Sequence, residues 1–369
     1  MRIVDINPFF YPLKGGIEHR MHDTSRLLAD GGDEVTVITG RLPGTEKEET
    51  TPEGYRIIRL DSRFINIYNP PFISSKGVLE SIKSIDPDIV NFNYRWAPSY
   101  SRDLKKYDGK KVFTYHNMWG EGVGLQRRMS EINDNMFKGC LETFDHVIAV
   151  SDYVRDDLIR RGFSPKYVTT VQTGLSKFPE TGDGSGDFIL SLGRLVRTKG
   201  LDYLVKAMRD VDCKLIICGK GPDRKRLAKA IEKLGLTDRI SMLGWVEEEE
   251  KERLMGSCRF FVMPSLFESL GLAAIEQMAY GRPIVFSGVN GLPETIGNGG
   301  IAVPPKDPAA LSEAMNSLIN DSERAEELGR NAVKQAQSYR WDDLIPKIRT
   351  VYEKVLSGDH SAEDAHRSE

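Results

Sequence analysis

The sequence contains no apolar run near the roughly 20 residues that a membrane-spanning helix requires. Its first residues, Met1 to Phe10, carry Asp5 and lack a basic stretch followed by an apolar one, so no secretory signal is read there. The four cysteines, Cys140, Cys213, Cys218 and Cys258, form no CxxC pair and show no metal-ligand spacing. They read as small core residues, with Cys213 and Cys218 in one apolar strand, which points to a reducing, cytoplasmic setting. The net charge is only −3, so the basic footprint of a nucleic-acid binder is missing. Short-period repeats and low-complexity tracts are missing as well.

What is present is a chain of 369 residues, 40% hydrophobic and 28% charged. That length suits two ordinary globular domains rather than one core. Apolar runs of strand length alternate with amphipathic segments of helix length almost throughout, the rhythm of βαβ units and parallel sheets. Strands are expected in the first half at Arg2–Asn7, Glu34–Ile38, Arg56–Leu60, Ile89–Asn93, Lys111–Tyr115, His146–Val150 and Val168–Val171. In the second half they are expected at Phe188–Leu192, Lys214–Cys218, Arg239–Leu243, Phe260–Met263, Ile284–Phe286 and Ile301–Val303. The polar, Gly-rich stretch between the two sets, residues 176–186, reads as a linker. The expected organisation is a first α/β domain over 1–175, that linker, and a second α/β domain over 187–340. A final amphipathic helix over 341–356 and a disordered tail over 357–369 follow. Two doubly wound, Rossmann-like sheets would then face each other across a cleft, with ligands at the carboxyl ends of their strands.

Four segments sit at such strand ends. The first is Pro264-Ser265-Leu266-Phe267-Glu268-Ser269-Leu270-Gly271-Leu272, which leads into an apolar helix. Free amides at a helix start favour an anion, and Gly271 lets a phosphate approach the backbone. Glu276, four residues on, stands among Ala274, Ile275 and Met278. It is either a glutamate on the solvent stripe or a buried carboxylate that needs a partner such as a diol. The second is Gly193-Arg194-Leu195-Val196-Arg197-Thr198-Lys199-Gly200. It is either a solvated basic loop or a pair of cations placed for a diphosphate. The third is Gly15-Gly16, a tight turn or a close backbone approach to a ligand; neither the dinucleotide fingerprint nor a P-loop follows the first strand. The fourth is His116, structural or functional, closing the apolar strand Lys111–Tyr115.

Other segments carry less. Gly219-Lys220-Gly221-Pro222 is a strand–turn–helix junction that suits a plain turn as well as a nucleotide site. Asp86-Pro87-Asp88 imitates an acidic metal motif but precedes a strand, the wrong end for the cleft, and is rejected. Glu247–Glu250 reads as a solvated face at a helix start. Tyr94 and Arg95 follow a strand and are guessed as acceptor contacts. Leu125, Met129, Ile132, Met136, Cys140 and Leu141 recur at helical spacing, which predicts core packing. The neighbouring Arg127, Arg128 and Lys138 keep membrane contact open.

Together these segments resemble the retaining glycosyltransferases of family four, which have the two-domain GT-B fold. The match rests first on Glu268 and Glu276 within Pro-Ser-x-x-Glu-Ser-x-Gly, then on Gly193-Arg194 with Lys199-Gly200. Gly281-Arg282-Pro283 and Gly291-Leu292-Pro293-Glu294 also fit. The resemblance implies that Glu268 contacts the donor sugar, Glu276 holds the ribose, and Arg194 and Lys199 bind the diphosphate. Leu270, Gly271 and Leu272 would offer backbone groups, Gly16 would approach the distal phosphate, and His116 would lie beside the reacting sugar. It implies a nucleoside-diphosphate sugar as co-substrate with no cofactor and no metal. It also implies a glycan, glycolipid or lipid-linked acceptor, and attack from the face the diphosphate leaves. Leu270 stands where the family usually has Phe, Gln172-Thr173-Gly174 where Asn-Gly is common, and Glu276-Gln277-Met278-Ala279 where Glu-Ala-Met-Ala is common. These departures leave donor and acceptor open. A nucleotide-sugar epimerase, a phosphorylase and an idle nucleotide-sugar binder are the competing expectations.

Overall fold

The computed structural model describes residues 1–65 and 72–358. The chain divides into two compact units, each built on its own sheet. Unit 1 holds Met1–Gly120, Arg127–Gly174 and the chain from Asp342 on; unit 2 holds Glu121–Gln126 and Leu175–Trp341.

Unit 1 runs β1 (Arg2–Ile6), α1 (Gly16–Asp30), β2 (Glu34–Gly40), β3 (Glu48–Thr50), β4 (Arg56–Leu60), β5 (Ser62–Ile65) and β6 (Phe72–Ser75). It continues with α2 (Val78–Ile85), β7 (Ile89–Phe92), α3 (Pro98–Leu104), β8 (Lys111–Tyr115), α4 (Leu125–Leu141), β9 (His146–Ala149), α5 (Asp152–Arg160) and β10 (Val168–Thr170). The eight-stranded sheet has the order β10-β9-β8-β7-β1-β2-β4-β3. All its pairings are parallel except β3 with β4. The central strands β7, β8 and β9 are buried at every position, as expected when helices cover both faces of a parallel sheet. Phe92, Phe113, Phe137 and Phe144 interlock at centroid separations of 5.1 to 6.5 Å and tie α4 to that sheet.

Unit 2 runs β11 (Phe188–Leu192), α6 (Leu201–Ala207), β12 (Lys214–Cys218), α7 (Arg224–Lys233), β13 (Ile240–Gly244), α8 (Glu248–Ser257) and β14 (Phe261–Met263). Then come α9 (Leu272–Ala279), β15 (Ile284–Ser287), α10 (Leu292–Ile296), β16 (Gly300–Val303), α11 (Pro308–Asn320) and α12 (Ser322–Ala336); α13 (Trp341–Ser357) follows and belongs to unit 1 from Asp342 on. Its sheet is parallel throughout, in the order β13-β12-β11-β14-β15-β16. The winding reverses between β11 and β14 here, and between β1 and β7 in unit 1. Those are the points where open α/β sheets leave a crevice at the strand ends.

Each of the thirteen strands expected from the sequence forms, with ends shifted by at most two residues. Three more were not legible. Strand β3 is Glu-Glu-Thr and exposed at every position, so it shows no apolar alternation, and β5 and β6 make a separate antiparallel hairpin. The Gly-rich tract read as a linker is pinned along unit 2. Gly182 donates to Tyr280 O, Gly184 to Gly256 O and Gly186 to Ser257 O. From Asp342 on, α13 packs within unit 1, where Arg349 Nη2 donates to Asp33 Oδ2 (2.6 Å) and Gly31 O (2.9 Å). The helix includes Ser357, and residues 359–369 of the expected tail lie outside the described residues.

The core reading of Leu125–Leu141 is corrected by the structure. Cys140 and Leu141 are buried, but Leu125, Met129, Ile132 and Met136 are 73, 58, 61 and 74% exposed. The opposite stripe faces inward because Asp134, fully buried, pairs with the Arg95 guanidinium and accepts from Gly120 N at 2.7 Å. A carboxylate can be buried only with such partners, and meeting that need turns the apolar stripe outward.

Candidate functional site

In unit 2, two loops meet at the carboxyl ends of β11 and β14. Leu190 pairs with Phe261 across these neighbouring strands, which sets the exits of both loops side by side. Thr198 O accepts from Leu266 N at 2.7 Å, stitching the loops together. Gly200 has φ +62, and a Cβ there would collide with Pro264 O, so only glycine allows this approach. Lys199 and Glu268, far apart in the chain, thereby form a close ion pair that is only partly exposed. Arg194 is exposed beside them. Gly193, Arg194, Lys199, Met263, Pro264 and Ser265 line one shallow depression.

The loop after β14 is held from its far side too. Gly291 N donates to Glu268 O at 3.1 Å and Thr295 Oγ1 to Leu270 O at 2.6 Å. Leu270 is buried and its carbonyl is already used. Gly271 adopts φ +89 and starts α9 without a side-chain cap, while Leu272 is the first helical residue. A helix start of this kind offers amide donors and the positive end of the dipole.

Glu276 lies on α9 with its side chain 28% exposed. Burial pushes its carboxyl above the ordinary range, and the nearby Lys251 ammonium opposes that rise. Lys251 Nζ is 3.5 Å from Glu276 Oε2 and 2.8 Å from Glu248 Oε1. Burial alone would lower the Lys251 ammonium, but the two carboxylates outweigh it and raise the group. Lys251 was missed from the sequence because it follows the acidic run Glu247–Glu250, which was read as solvated. Glu250 does face solvent, paired with Arg253. At the ends of β12 and β13, Gly219 N donates to Gly244 O at 2.6 Å, and Lys220 Nζ sits 5.9 Å from the ring of the half-exposed Trp245.

In unit 1, the residues at the crevice come from β1, β7 and β8. Gly15 is extended at φ −159 and α1 begins at Gly16; a Cβ on Gly15 would press on the Glu18 carboxylate. His116 follows β8 and is half-buried. Burial, then the Arg20 charge, hold its imidazole well below the ordinary value, so the ring is neutral at pH 7. Tyr94 is half-buried, edge-on to Phe9 at 5.7 Å. Arg95, guessed as an acceptor contact, is buried instead. It is engaged by Asp134, donates to Met118 O at 2.9 Å, and lies over the Tyr115 ring. Asp88 Oδ2 accepts from Arg2 N at 2.6 Å and so anchors the start of β1. Among the described residues no group of acidic, His or Cys side chains could hold a metal, and no helix is long and apolar enough to cross a membrane.

Two Rossmann-like α/β units with loops gathered at their switch points define the architecture of GT-B glycosyltransferases. Comparison with known proteins fixes the family. The family model described as Glycosyltransferase Family 4 matches residues 14–176, and that described as Glycosyl transferases group 1 matches 176–335. The chain belongs to the family-four glycosyltransferases. It is similar to an uncharacterized glycosyltransferase of Methanocaldococcus jannaschii, 30% identical over 59% of this chain and 62% of that one. It is also similar to the phosphatidylinositol N-acetylglucosaminyltransferase gpi3 subunit of Schizosaccharomyces pombe, 25% identical over 95% of this chain and 80% of that one. Among solved structures, sucrose-phosphate synthase from Thermosynechococcus elongatus shares the fold. Its TM-score is 0.84 at 23% identity, over 97% of this chain and 100% of that one.

Proposed function

We propose that this chain transfers a sugar from a nucleoside-diphosphate donor to a glycan, glycolipid or lipid-linked acceptor, with retention of anomeric configuration and without a metal. The observation that carries the reading is the meeting of Lys199, Glu268 and the uncapped start of α9 at one switch point. A diphosphate there would take Lys199 and Arg194 as counter-charges and the α9 amides as donors. Glu268 would be released to bind sugar hydroxyls, and Glu276 would accept from the ribose diol. Gly15-Gly16 would approach the distal phosphate, and His116 would lie beside the reacting sugar.

In the step proposed, the acceptor hydroxyl attacks the anomeric carbon on the face the diphosphate leaves. The carbon–phosphate oxygen bond breaks, the new glycosidic bond forms, and the acceptor proton passes to the departing phosphate oxygen. The two cations stabilise the charge that grows on the leaving group. Glu268 and Glu276 are binding groups in this reading, not an acid–base pair.

A lipid-linked acceptor at a membrane surface is supported by the exposed Leu125, Met129, Ile132 and Met136 on α4, beside Arg127 and Arg128. The name of the gpi3 relative, a phosphatidylinositol N-acetylglucosaminyltransferase, supports it as well. The test is a thermal-shift panel of nucleotide sugars, followed by hydrolysis and product anomer analysis on the hits. Slow hydrolysis of one donor, unchanged by chelator, is expected. Lys199→Ala and Glu276→Gln should each lower turnover at least ~100-fold, the scale of one preorganised charged contact. Return of an isomerised nucleotide sugar, or near-normal rates in both variants, refutes the reading.

A further inference from the structure

Behind His116 lies a chain of buried polar side chains for which the sheet itself has no need. Asp5 on β1, Asn91 on β7 and Thr114 on β8 are buried in the middle of the sheet, and Asn93 is buried just beyond β7. Burying four polar groups there is costly unless each is bonded. They are bonded in a connected set. Asp5 Oδ1 accepts from Asn93 Nδ2 at 2.5 Å and from Asn91 Nδ2 at 2.9 Å. Thr114 Oγ1 donates to Asn91 Oδ1 at 2.8 Å. Asn93 Nδ2 donates also to Ile6 O at 3.2 Å, and Asn93 Oδ1 stands 2.9 Å from His116 Nε2.

The direction of that last bond is forced. Asn93 Nδ2 faces Ile6 O, which can only accept, and Asp5 Oδ1, the carboxyl oxygen that already accepts from Asn91. Turning the amide over would set its oxygen against two oxygens and leave its NH2 facing His116. Asn93 therefore presents oxygen to the ring, and His116 Nε2 must carry the proton. A neutral imidazole with a proton on Nε2 has its lone pair on Nδ1.

We propose that Asn93, locked by Asp5, is a positioning residue that fixes His116 in the Nε2–H tautomer, so that Nδ1 serves the reaction as a hydrogen-bond acceptor. The inference rests on the reading that His116 lies beside the reacting sugar. An acceptor nitrogen there suits a sugar hydroxyl, which has a proton to give, and would repel a carbonyl or phosphate oxygen. Burial keeps the ring neutral, which preserves the acceptor. Asp5 acts one bond further back, by fixing which way the Asn93 amide faces.

The experiment uses the full chain labelled with 15N-histidine and no ligand, so its outcome is independent of whether a donor is ever turned over. Long-range 15N–1H correlation spectra assign His116 by difference from His116→Gln. The wild type should show an unprotonated Nδ1 and an Nε2–H proton slow enough in exchange to be seen. In Asn93→Ala, with a melting transition confirming the fold, that proton resonance should vanish into exchange with water. A proton on Nδ1 in the wild type overturns the proposal without any variant. An Nε2–H signal of undiminished protection in Asn93→Ala overturns it as well.

Discussion

Asp5 is buried at a cost that can be measured. Burial raises its carboxyl from 3.8 to about 7, against the opposing effects of Asn93, Asn91, Arg20 and the Ile6 amide. Between those two values the folded chain holds more protons than the unfolded chain. Stability therefore falls as pH rises through that window, and the loss is complete above about 7. At about 1.36 kcal/mol per pH unit the full cost is roughly 4 kcal/mol. Part of the window is already crossed at about pH 5, so between about pH 5 and pH 8 the cost should grow by roughly 3 kcal/mol. Asp5→Asn keeps an oxygen for the Asn91 and Asn93 amides but cannot ionise. Relative to the wild type it should gain those roughly 3 kcal/mol over the same interval. The assay is urea unfolding at the two pH values, read by hydrogen exchange of the peptide that contains β1. A difference between the two proteins that stays constant within about 0.5 kcal/mol refutes the reasoning. So does a wild type that gains on the variant as pH rises, because Asp5 would then be ionised and stabilised by its partners.

Breaking the buried pair by Asp134→Ala should cost about 3 to 5 kcal/mol, since it strands the Arg95 guanidinium; calorimetric unfolding checks this. Gly200→Ala should part the two loops of unit 2, through both the left-handed backbone and the collision with Pro264 O. Loss of nucleotide-sugar thermal shift with unit 1 exchange unchanged is the expected signature. Lys251→Met removes the ammonium that opposes the rise of Glu276. The Glu276 carboxyl should then titrate higher, as 13C chemical shift against pH would report. Replacing Met129 and Ile132 with glutamate should abolish sedimentation with anionic lipid vesicles if α4 is the membrane contact, and leave donor hydrolysis intact.

Much of this protein can be read from its residues alone, for a physical reason. Strands buried on both faces need continuous apolar runs, so Lys111–Tyr115 and Phe188–Leu192 announce themselves, and strand–loop–helix punctuation marks where a phosphate could sit. Gly271 stands out at a strand-to-helix turn, but that Gly200 is left-handed and pressed against Pro264 O is seen only in the fold. Family membership followed from the order of such segments, from Gly15-Gly16 through Lys199 and Glu268 to Glu276.

Partnership was decided only in three dimensions. Sequence alone left Glu276 as either a solvated or a buried carboxylate, and the fold made it half-buried and opposite Lys251 on a neighbouring helix. Lys199 met Glu268 because β11 and β14 are adjacent at a reversal of the sheet, a relation no local pattern encodes. Helical spacing said that α4 has an apolar stripe, but not which side faces inward. The inward side is the one that carries Asp134, whose carboxylate is buried against the Arg95 guanidinium, together with Phe137, Cys140 and Leu141.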